Sequence, residues 1–373
     1  MLLRSIILEN LRNHEHTSIE FGTGVNVFYG LNGTGKTTVL EAVAIAGLSK
    51  TFLPTSDAGL IRRGADFYRI SISAVSDVDA PYKVVVQYRM GGRKIIGSSF
   101  GDNLAPKDII GELPIVVLSP DFKDITFGAP QDRRRFIDAL LAQASKRYAE
   151  EAVNLKKILR QRNALLAQAK MRTYFDTGLF AVLTEYLAQT GAEIISRRAA
   201  FLQEFAPVFR EAYRTIAEGG EEVNIIYQPD SINNAELDKG NIAQRLAETA
   251  EKLRGEELRR GVTLFGPQKD DASIIIGGAP ARDAASQGQH KSLLIGLKAA
   301  EFMYLRDIRS ETPMALFDDI FSELDARRSA NVLEMIRDSK AQTFITTTDK
   351  DKAIFPAGAA YFYATGGTIT QTE

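Results

Sequence analysis

One glycine-rich segment constrains the fold of this chain more than any other part of the sequence. Residues 30–37 read Gly-Leu-Asn-Gly-Thr-Gly-Lys-Thr and fit the phosphate-loop pattern G-x-x-x-x-G-K-[ST]. The apolar run at 25–29 predicts a buried strand before this segment, and 39–48 predict a helix after it. This order favours a nucleotide-binding loop over the alternative, a glycine-rich turn with a chance lysine. We therefore predict that the chain binds ATP or GTP.

The residues of such a loop have separate roles. The glycines let consecutive backbone N–H groups turn inward, and the helix N-terminus adds positive potential for phosphate. Lys36 is expected to reach the β- and γ-phosphates, and Thr37 to ligate Mg²⁺. An apolar strand that ends in an acid usually completes the metal site, and 314–317 followed by Asp318 fit that description. Asp319 then lies where it could orient and deprotonate the attacking water.

Length and composition limit the other possibilities. The chain has 373 residues, which suits two lobes better than one core, and no cysteine, which excludes disulfides and thiolate metal sites. Its 46 Lys and Arg balance 47 Asp and Glu, so any nucleic-acid surface must come from local charge asymmetry. The N-terminal residues lack a signal-peptide pattern, and no run reaches about 18 apolar residues. We therefore expect a cytoplasmic protein with no membrane partner.

Alternating apolar and polar residues predict most of the strands. Three short strands, interpreted as a β-meander that enters a mixed sheet, are predicted at 2–8, 17–21 and 25–29. An antiparallel side sheet, with a hairpin turn at Gly91-Gly92, is predicted from 68–75, 82–90 and 93–100. The remaining predicted strands are 115–118, 223–227, 262–265, 273–276, 314–317, 341–345, 361–363 and 368–370.

The middle of the chain has helical periodicity. From 133 to 172 there are 11 Lys and Arg against 3 Asp and Glu, and apolar residues recur at helical spacing. A second helix at 179–209 would complete an antiparallel hairpin, in which some 40 residues at ~1.5 Å rise span on the order of 60 Å. A third helix is predicted at 243–260. We therefore divide the chain into a discontinuous nucleotide-binding lobe, 1–130 with 261–373, and a helical lobe, 131–260.

Short motifs in the last third of the chain point to a family. Ser286-Gln287-Gly288-Gln289 resembles the signature loop of ABC ATPases, and Asp318-Asp319 and Ser322-Glu323-Leu324-Asp325 follow it in that family's order. With a head split by a helical insertion, these motifs resemble an ABC ATPase of the SMC type. More closely, the chain resembles the bacterial RecF family from end to end. Other matching segments are Glu9-Asn10-Leu11-Arg12-Asn13, Leu60-Ile61-Arg62, Ser119-Pro120-Asp121, Arg133-Arg134-Arg135-Phe136, Thr263-Leu264-Phe265-Gly266-Pro267 and Asp270-Asp271.

The resemblance implies a fold and a set of site residues. The fold is α/β: an ABC-type ATPase head, with a mixed sheet that carries the phosphate loop and an antiparallel side sheet, and an inserted α-helical arm. The residues implied to bind ATP and Mg²⁺ in cis are Gly30, Asn32, Gly33, Thr34, Gly35, Lys36, Thr37, Thr38 and Asp318. Ser286 and Gly288 are implied to contact the γ-phosphate bound by a partner copy, and Gln287 and Gln289 of the same loop are implied to bind nucleotide. Asp319 takes the catalytic position with Lys36 and Asp318, and Asp325 lies at the dimer seam.

Two groups of residues have more than one interpretation on the sequence alone. Arg12 and Asn13 end the first predicted strand, where they could reach nucleotide, although a plain polar turn is the alternative. Basic residues of the helical lobe are candidate DNA contacts: Arg133, Arg134, Arg135, Lys156 and Lys157. The alternatives are a solvated helical face and, for the arginine triplet, ion pairs at the base of the arm.

The resemblance also implies a function in recombinational repair and replication-fork maintenance. An ATP-dependent homodimer would clamp DNA at gaps and at junctions of single and double strands, and help load the strand-exchange recombinase with RecR as partner. Weak, DNA-stimulated ATP hydrolysis would release it, in the cytoplasm and at the nucleoid. The basic arm would make DNA affinity strongly salt-dependent.

Three other classes of protein share some of these sequence motifs. A transporter ATPase subunit would use the same nucleotide chemistry, a small-molecule P-loop kinase would need no signature loop in trans, and an SMC-like chromosome protein would need a longer coil. Asp319 replaces the glutamate of transporter ATPases, which favours slow turnover. Thr347 or Thr348 stands where many ABC ATPases place a switch histidine, and His290 stands where glutamine is more familiar.

Overall fold

The computed structural model divides the chain into two compact units. It describes residues 1–171, 175–217, 220–232, 237, 239–309, 311–322, 324–350 and 355–372. Unit 1 comprises Met1–Phe122, Ala212–Gly219 and Lys291–Glu373, and unit 2 comprises Lys123–Glu211 and Gly220–His290. The sequence-based division differs from this one chiefly at 261–290, which it assigned to the nucleotide-binding lobe. These residues lie in unit 2 because the strand at Asp271–Ile276 pairs with the strand at Val223–Gln228.

The strands and helices are named here in chain order. The strands are β1 (Leu2–Leu11), β2 (His14–Glu20), β3 (Val25–Tyr29), β4 (Phe67–Val75), β5 (Pro81–Arg89), β6 (Ile95–Ser98), β7 (Ile115–Leu118), β8 (Val223–Gln228), β9 (Asp271–Ile276), β10 (Ala279–Pro280), β11 (Met314–Asp318), β12 (Thr343–Thr347), β13 (Ala360–Thr365) and β14 (Thr368–Thr372). The helices are α1 (Lys36–Leu48), α2 (Asp57–Leu60), α3 (Pro106–Ile109), α4 (Asp124–Phe127), α5 (Pro130–Ala144), α6 (Lys146–Lys170), α7 (Thr177–Ala217), α8 (Lys239–Arg260), α9 (Ala281–Ala284), α10 (Gln287–Arg309) and α11 (Ala326–Ser339).

Unit 1 contains two sheets. A six-stranded mixed sheet has the order β14-β13-β3-β12-β11-β7, and a five-stranded antiparallel sheet has the order β2-β1-β4-β5-β6. The predicted meander is therefore wrong, because β1 pairs with β2 and β4 in the antiparallel sheet while β3 lies in the other sheet. Burial explains the difference. β11 and β12 are buried throughout, as expected for central parallel strands, whereas β1 and β2 alternate and leave one face to solvent.

The central strands of the mixed sheet bring their carboxyl ends to one edge. β11, β12 and β3 run parallel, with Asp318 beside Thr346 and Thr347 beside Tyr29 in register. The phosphate loop leaves β3 at this edge and enters α1, whose residues are almost all buried. A core of aromatic side chains, including Phe28, Phe344 and Phe362, packs on the α1 side of the sheet. The topology thus brings the two ends of the chain together at one site.

Unit 2 is built mainly from helices, with the small sheet β10-β9-β8. The predicted first arm helix is two helices, because Ser145 is extended (φ −144°) and its hydroxyl caps α6 at the N–H of Tyr148. The second is α7, whose 41 residues span on the order of 60 Å. The strand predicted at 262–265 is wrong, since these residues form bends and irregular backbone, and the predicted break at 173–178 lies partly outside the described residues. Over the described part of the chain, no helix combines the length and apolarity that crossing a membrane requires.

Candidate nucleotide-binding site

The phosphate loop of unit 1 is folded around its own lysine. The Nζ of Lys36 donates hydrogen bonds to the carbonyls of Gly30 at 2.7 Å and Leu31 at 2.8 Å. Gly30, Gly33 and Gly35 have φ of 138°, 77° and 106°, a region that residues with a side chain rarely adopt. The sequence pattern therefore produces the turn that it predicts, and the lysine ammonium lies inside that turn.

The acid at the end of β11 meets this loop directly. The hydroxyl of Thr37 donates to Oδ1 of Asp318 at 2.7 Å, although the two residues are 281 positions apart. Thr346, at the end of β12, donates to the same oxygen at 2.8 Å and accepts the backbone N–H of Asp319 at 2.9 Å. Asp319 has φ of +48°, so its backbone turns sharply as it leaves the strand. These contacts join the loop, both acids and β12.

The electrostatics of the site favour a bound cation beside a bound anion. Burial raises the pKa of Asp318, while the hydrogen bonds from Thr37 and Thr346 act in the opposite direction. Burial likewise lowers the pKa of Lys36, against the attraction of Asp319 and Asp318. Among the described residues, the groups bonded to Oδ1 of Asp318 are neutral hydroxyls. A buried carboxylate beside a threonine hydroxyl is an oxygen donor set that fits Mg²⁺.

Thr346 is a site residue that sequence reasoning missed. On the sequence alone, Thr347 or Thr348 takes the switch position, and Thr346 has no role. The hydroxyl of Thr347 instead bonds to the backbone of Asp349. The signal that could have identified Thr346 is its place at the end of the parallel strand next to β11, where side chains converge.

Arg12 and Asn13 lie beside the loop, with partners in the protein. The Nε and Nη2 of Arg12 donate to the two carboxylate oxygens of Glu41, each at 2.8 Å, and Thr51 donates to the same carboxylate at 2.6 Å. Asn13 Nδ2 donates to the carbonyl of Gly33 at 3.2 Å. A direct contact of either residue with nucleotide stays a prediction.

The signature residues belong to unit 2 and begin a long helix. Ser286 and Gln287 are exposed. Ser286 caps α10 through reciprocal bonds, in which its N–H donates to Gln289 Oε1 at 2.6 Å and its hydroxyl accepts the N–H of Gln289 at 3.2 Å. The Gln289 amide also donates to Glu221 at 2.9 Å. The N-terminus of α10, with Gly288 in its first turn, is therefore a preformed helix end, and such ends carry the positive potential that an anion-binding role requires.

Asp325 of the predicted dimer seam caps α11. Its carboxylate accepts the N–H of Arg328 at 2.8 Å, and this bond is the main cause that lowers the pKa of Asp325. The side chain is about half exposed (52%), so it remains available to a partner. Glu323 of the same motif lies outside the described residues.

The structure separates the candidate DNA contacts of unit 2 into two groups. Arg133 is buried in a two-point ion pair with Asp271, with both N···O distances 2.8 Å, and Arg134 donates to the carbonyl of Asp270. The ion-pair alternative therefore describes Arg133, which is corrected from a DNA contact to an internal partner, whereas for the half-buried Arg134 a DNA contact stays a prediction. Arg135, Lys156 and Lys157 are exposed and keep the prediction.

Known proteins match this chain over most of its length. A family model described as an AAA domain matches residues 5–260. The DNA replication and repair protein RecF of Chloroherpeton thalassium (strain ATCC 35110 / GB-78) is 36% identical over 352 residues, which cover 94% of this chain and 95% of that protein. The solved structure of the recombination mediator protein RecF with ATP, of the RecFOR pathway, aligns with a TM-score of 0.92 at 27% identity, over 100% of this chain and 98% of that one.

A more distant structure supports the fold alone. An SMC head solved with the C-winged helix domain of ScpA aligns with a TM-score of 0.57 at 15% identity, over 100% of this chain and 97% of that one. Together with the two sheets of unit 1 and the long helices, these alignments confirm the fold class expected from the sequence: an ABC-type ATPase head with an inserted helical part.

Proposed function

Because the chain belongs to the RecF family of DNA replication and repair proteins, we propose that it is an ATP-dependent DNA-binding protein of recombinational repair and replication-fork maintenance. The observation that carries this proposal is the 2.7 Å contact between Thr37 and Asp318, which joins the phosphate loop to the acid strand from opposite ends of the chain. A loop and an acid in contact are what an ATPase needs to hold a metal–triphosphate.

Each residue of the site has a role that follows from its present contacts. Lys36 would exchange the carbonyls of Gly30 and Leu31 for phosphate oxygens. Thr37 and Asp318 would hold Mg²⁺, which when bound neutralises phosphate charge. Asp319 would accept the proton of the attacking water, on a backbone that Thr346 fixes by a hydrogen bond.

The signature loop would act in trans. Ser286 is exposed at the N-terminus of α10, and a helix N-terminus favours an anion. A γ-phosphate bound by a second copy is the anion that would suit it, so ATP would hold two copies together and hydrolysis would release them. Asp325 would lie at the seam between the copies.

DNA would be bound through the exposed basic side chains of unit 2. Lys156 and Lys157 lie on α6, and Arg135 on α5. Phosphate contacts of this kind give an affinity that falls steeply with salt. We extend the proposal to weak, DNA-stimulated hydrolysis, to RecR as a partner, and to association with the nucleoid, on the basis of family membership.

Mixing two inactive variants tests the composite site. Lys36→Ala removes the loop cation and Ser286→Arg blocks the signature loop, so each variant alone is expected to lose ATPase activity. A one-to-one mixture forms heterodimers with one intact site, and about one quarter of wild-type activity should return if pairing is random. Steady-state ATP hydrolysis with DNA present measures this.

The control mixture combines Lys36→Ala with Thr37→Ala, two defects in the same loop, and should show no recovery. If the first mixture also stays inactive although both variants fold and associate, the site is not shared between copies. A kinase-like site within one copy would then be the better description.

A further inference from the structure

Three consecutive carbonyls of the phosphate loop accept hydrogen bonds from residues outside the loop. The carbonyl of Gly33 accepts from Asn13 Nδ2 at 3.2 Å, and that of Thr34 accepts from the N–H of Gly367 at 3.3 Å. The carbonyl of Gly35 lies 3.1 Å from Nε2 of His14. All of these residues belong to unit 1. The outer side of the loop is therefore held at three successive peptides.

His14 is the buried member of this set. Its side chain is fully buried at the start of β2, and burial lowers the pKa of His14, so the imidazole is neutral. A carbonyl can only accept, so the ring proton resides on Nε2 and donates to Gly35. Nδ1 lies 2.9 Å from the hydroxyl of Thr17, whose proton also has the carbonyl of Gly367 within reach at 3.3 Å. The carbonyl of Gly35 thus selects the tautomer of this neutral ring.

The fit between these residues and the loop is close. Gly35 has φ of +106°, and a Cβ there would collide with Nε2 of His14 and lie 2.9 Å from Oδ1 of Asn13. A Cβ at Gly367, in the turn between β13 and β14, would collide with the carbonyl of Asn13. The glycines therefore allow the turn between β1 and β2 and the C-terminal hairpin to touch the loop directly.

The direction of these bonds has a consequence for nucleotide binding. In each planar peptide the carbonyl and the following N–H point in opposite directions. Holding the carbonyls of Gly33, Thr34 and Gly35 outward therefore turns the N–H groups of Thr34, Gly35 and Lys36 to the inner side. A loop whose donors are already oriented loses less free energy when it binds phosphate.

We propose that His14 is a positioning residue that presets the phosphate loop for the diphosphate part of the nucleotide without touching it, supported by Asn13 and Gly367. This inference rests on the proposed ATP binding. It also gives Asn13 a role different from the direct nucleotide contact predicted from the sequence. His14 would act equally on ATP and ADP, because both carry the diphosphate that the loop surrounds.

Two substitutions at one position separate the hydrogen bond from packing. His14→Phe keeps a ring but removes the donor, whereas His14→Gln restores an N–H near the same place. His14→Phe should raise the Kd of ATP and of ADP by the same factor, about 5- to 10-fold, as expected for one lost hydrogen bond. His14→Gln should recover most of this affinity, and kcat at saturating ATP should change less than about 2-fold in both variants. Titration calorimetry and steady-state hydrolysis measure these quantities.

The exposed His16 on the same strand provides a matched control, since His16→Phe should leave both Kd values unchanged. The inference fails if His14→Phe binds both nucleotides as tightly as wild type. It also fails if His14→Gln is as weak as His14→Phe, because the ring would then act only through packing. Failure of the wild type to bind ATP would instead overturn the proposed function. If His14→Phe does not fold, Asn13→Ala removes a neighbouring donor from an exposed side chain and should weaken ATP and ADP equally.

Discussion

The nucleotide site of unit 1 and the core of unit 2 both bury charged side chains, but they neutralise those charges differently. In unit 2, Arg162 and Glu257 are both fully buried and face each other with an N···O distance of 2.7 Å. The rings of Phe180 and Phe265 lie 4.5 and 5.0 Å from the guanidinium carbon. In unit 1, by contrast, Asp318 accepts hydrogen bonds from hydroxyl groups, and Lys36 donates hydrogen bonds to backbone carbonyls.

This difference distinguishes buried charges that stabilise the fold from buried charges that a bound ligand would neutralise. A buried ion needs an opposite charge or several hydrogen bonds to offset its desolvation. Arg162 obtains its opposite charge from the same chain, together with hydrogen bonds to Thr184 and Thr263. Among the described residues, the hydrogen-bond partners of Asp318 and of Lys36 are neutral groups, so bound Mg²⁺ and phosphate would add the opposite charges at direct contact distance. The same substitution, carboxylate to amide, should therefore lower the free energy of unfolding in unit 2 but not in unit 1.

The largest expected change in the free energy of unfolding follows a substitution in unit 2. Glu257→Gln removes the anion that pairs with Arg162 and leaves a buried cation behind, which should lower the free energy of unfolding by about 3–5 kcal/mol. Differential scanning calorimetry and urea denaturation of the full chain measure this change. The adjacent Glu256→Gln is the control, because Glu256 forms surface ion pairs with Arg259 and Arg260 and should lose less than about 1 kcal/mol. Equal losses in the two variants would contradict a stabilising role for the buried pair.

The corresponding carboxylate-to-amide substitution in unit 1 should not lower the free energy of unfolding, but it should abolish ATP hydrolysis. Asp318→Asn is expected to reduce Mg²⁺-dependent ATP hydrolysis by at least about 100-fold, because a metal ligand is lost. The free energy of unfolding should stay the same or rise slightly, since burial already disfavours the ionised carboxylate and raises its pKa. ATPase assays and the same urea denaturation test both parts. A loss of stability as large as that of Glu257→Gln would remove the distinction between the two sites.

The sequence predicted well those parts of the site whose chemistry requires neighbouring residues. A phosphate loop needs its glycines, lysine and threonine on one short stretch of backbone, so residues 30–37 reveal it directly. The acid at Asp318 was also found, because a buried strand that ends in a carboxylate is a local pattern. The antiparallel hairpin at Gly91-Gly92 was predicted for the same reason, since turn residues act within a few positions.

The parts that could not be predicted depend on partners far away in the sequence. Arg133 was assigned to a basic surface, yet its burial is decided by Asp271, 138 positions later. His14 contacts Gly35 and Thr346 contacts Asp318 only once strands from distant segments lie side by side. Local periodicity also could not show that β1 and β2 belong to a different sheet from β3. A pattern of charges or strands in the sequence indicates which interactions a residue can make. The topology of the fold determines which partner it contacts.

The smallest expected effect concerns a titration inside unit 2. Asp270 is buried against Arg198, with 3.3 Å between Oδ2 and Nη1, and it accepts hydrogen bonds from the hydroxyl of Tyr227 and the N–H of Asp230. Burial raises the pKa of Asp270 to about 6 from its ordinary value of 3.8. Folding therefore favours the protonated carboxyl, and this contribution is complete below pH 3.8 and is lost as the pH rises through about 6.

Comparison with Asp270→Asn isolates this contribution, because the amide does not titrate. Between pH 5 and pH 7, the free energy of unfolding of the wild type relative to this variant should fall by about 1 kcal/mol. Urea denaturation at constant ionic strength measures the difference. If the wild type instead gained relative stability as the pH rose, attraction by Arg198 would outweigh burial. Asp270 would then be fully paired like Glu257, and the buried charges of unit 2 would follow one rule without exception.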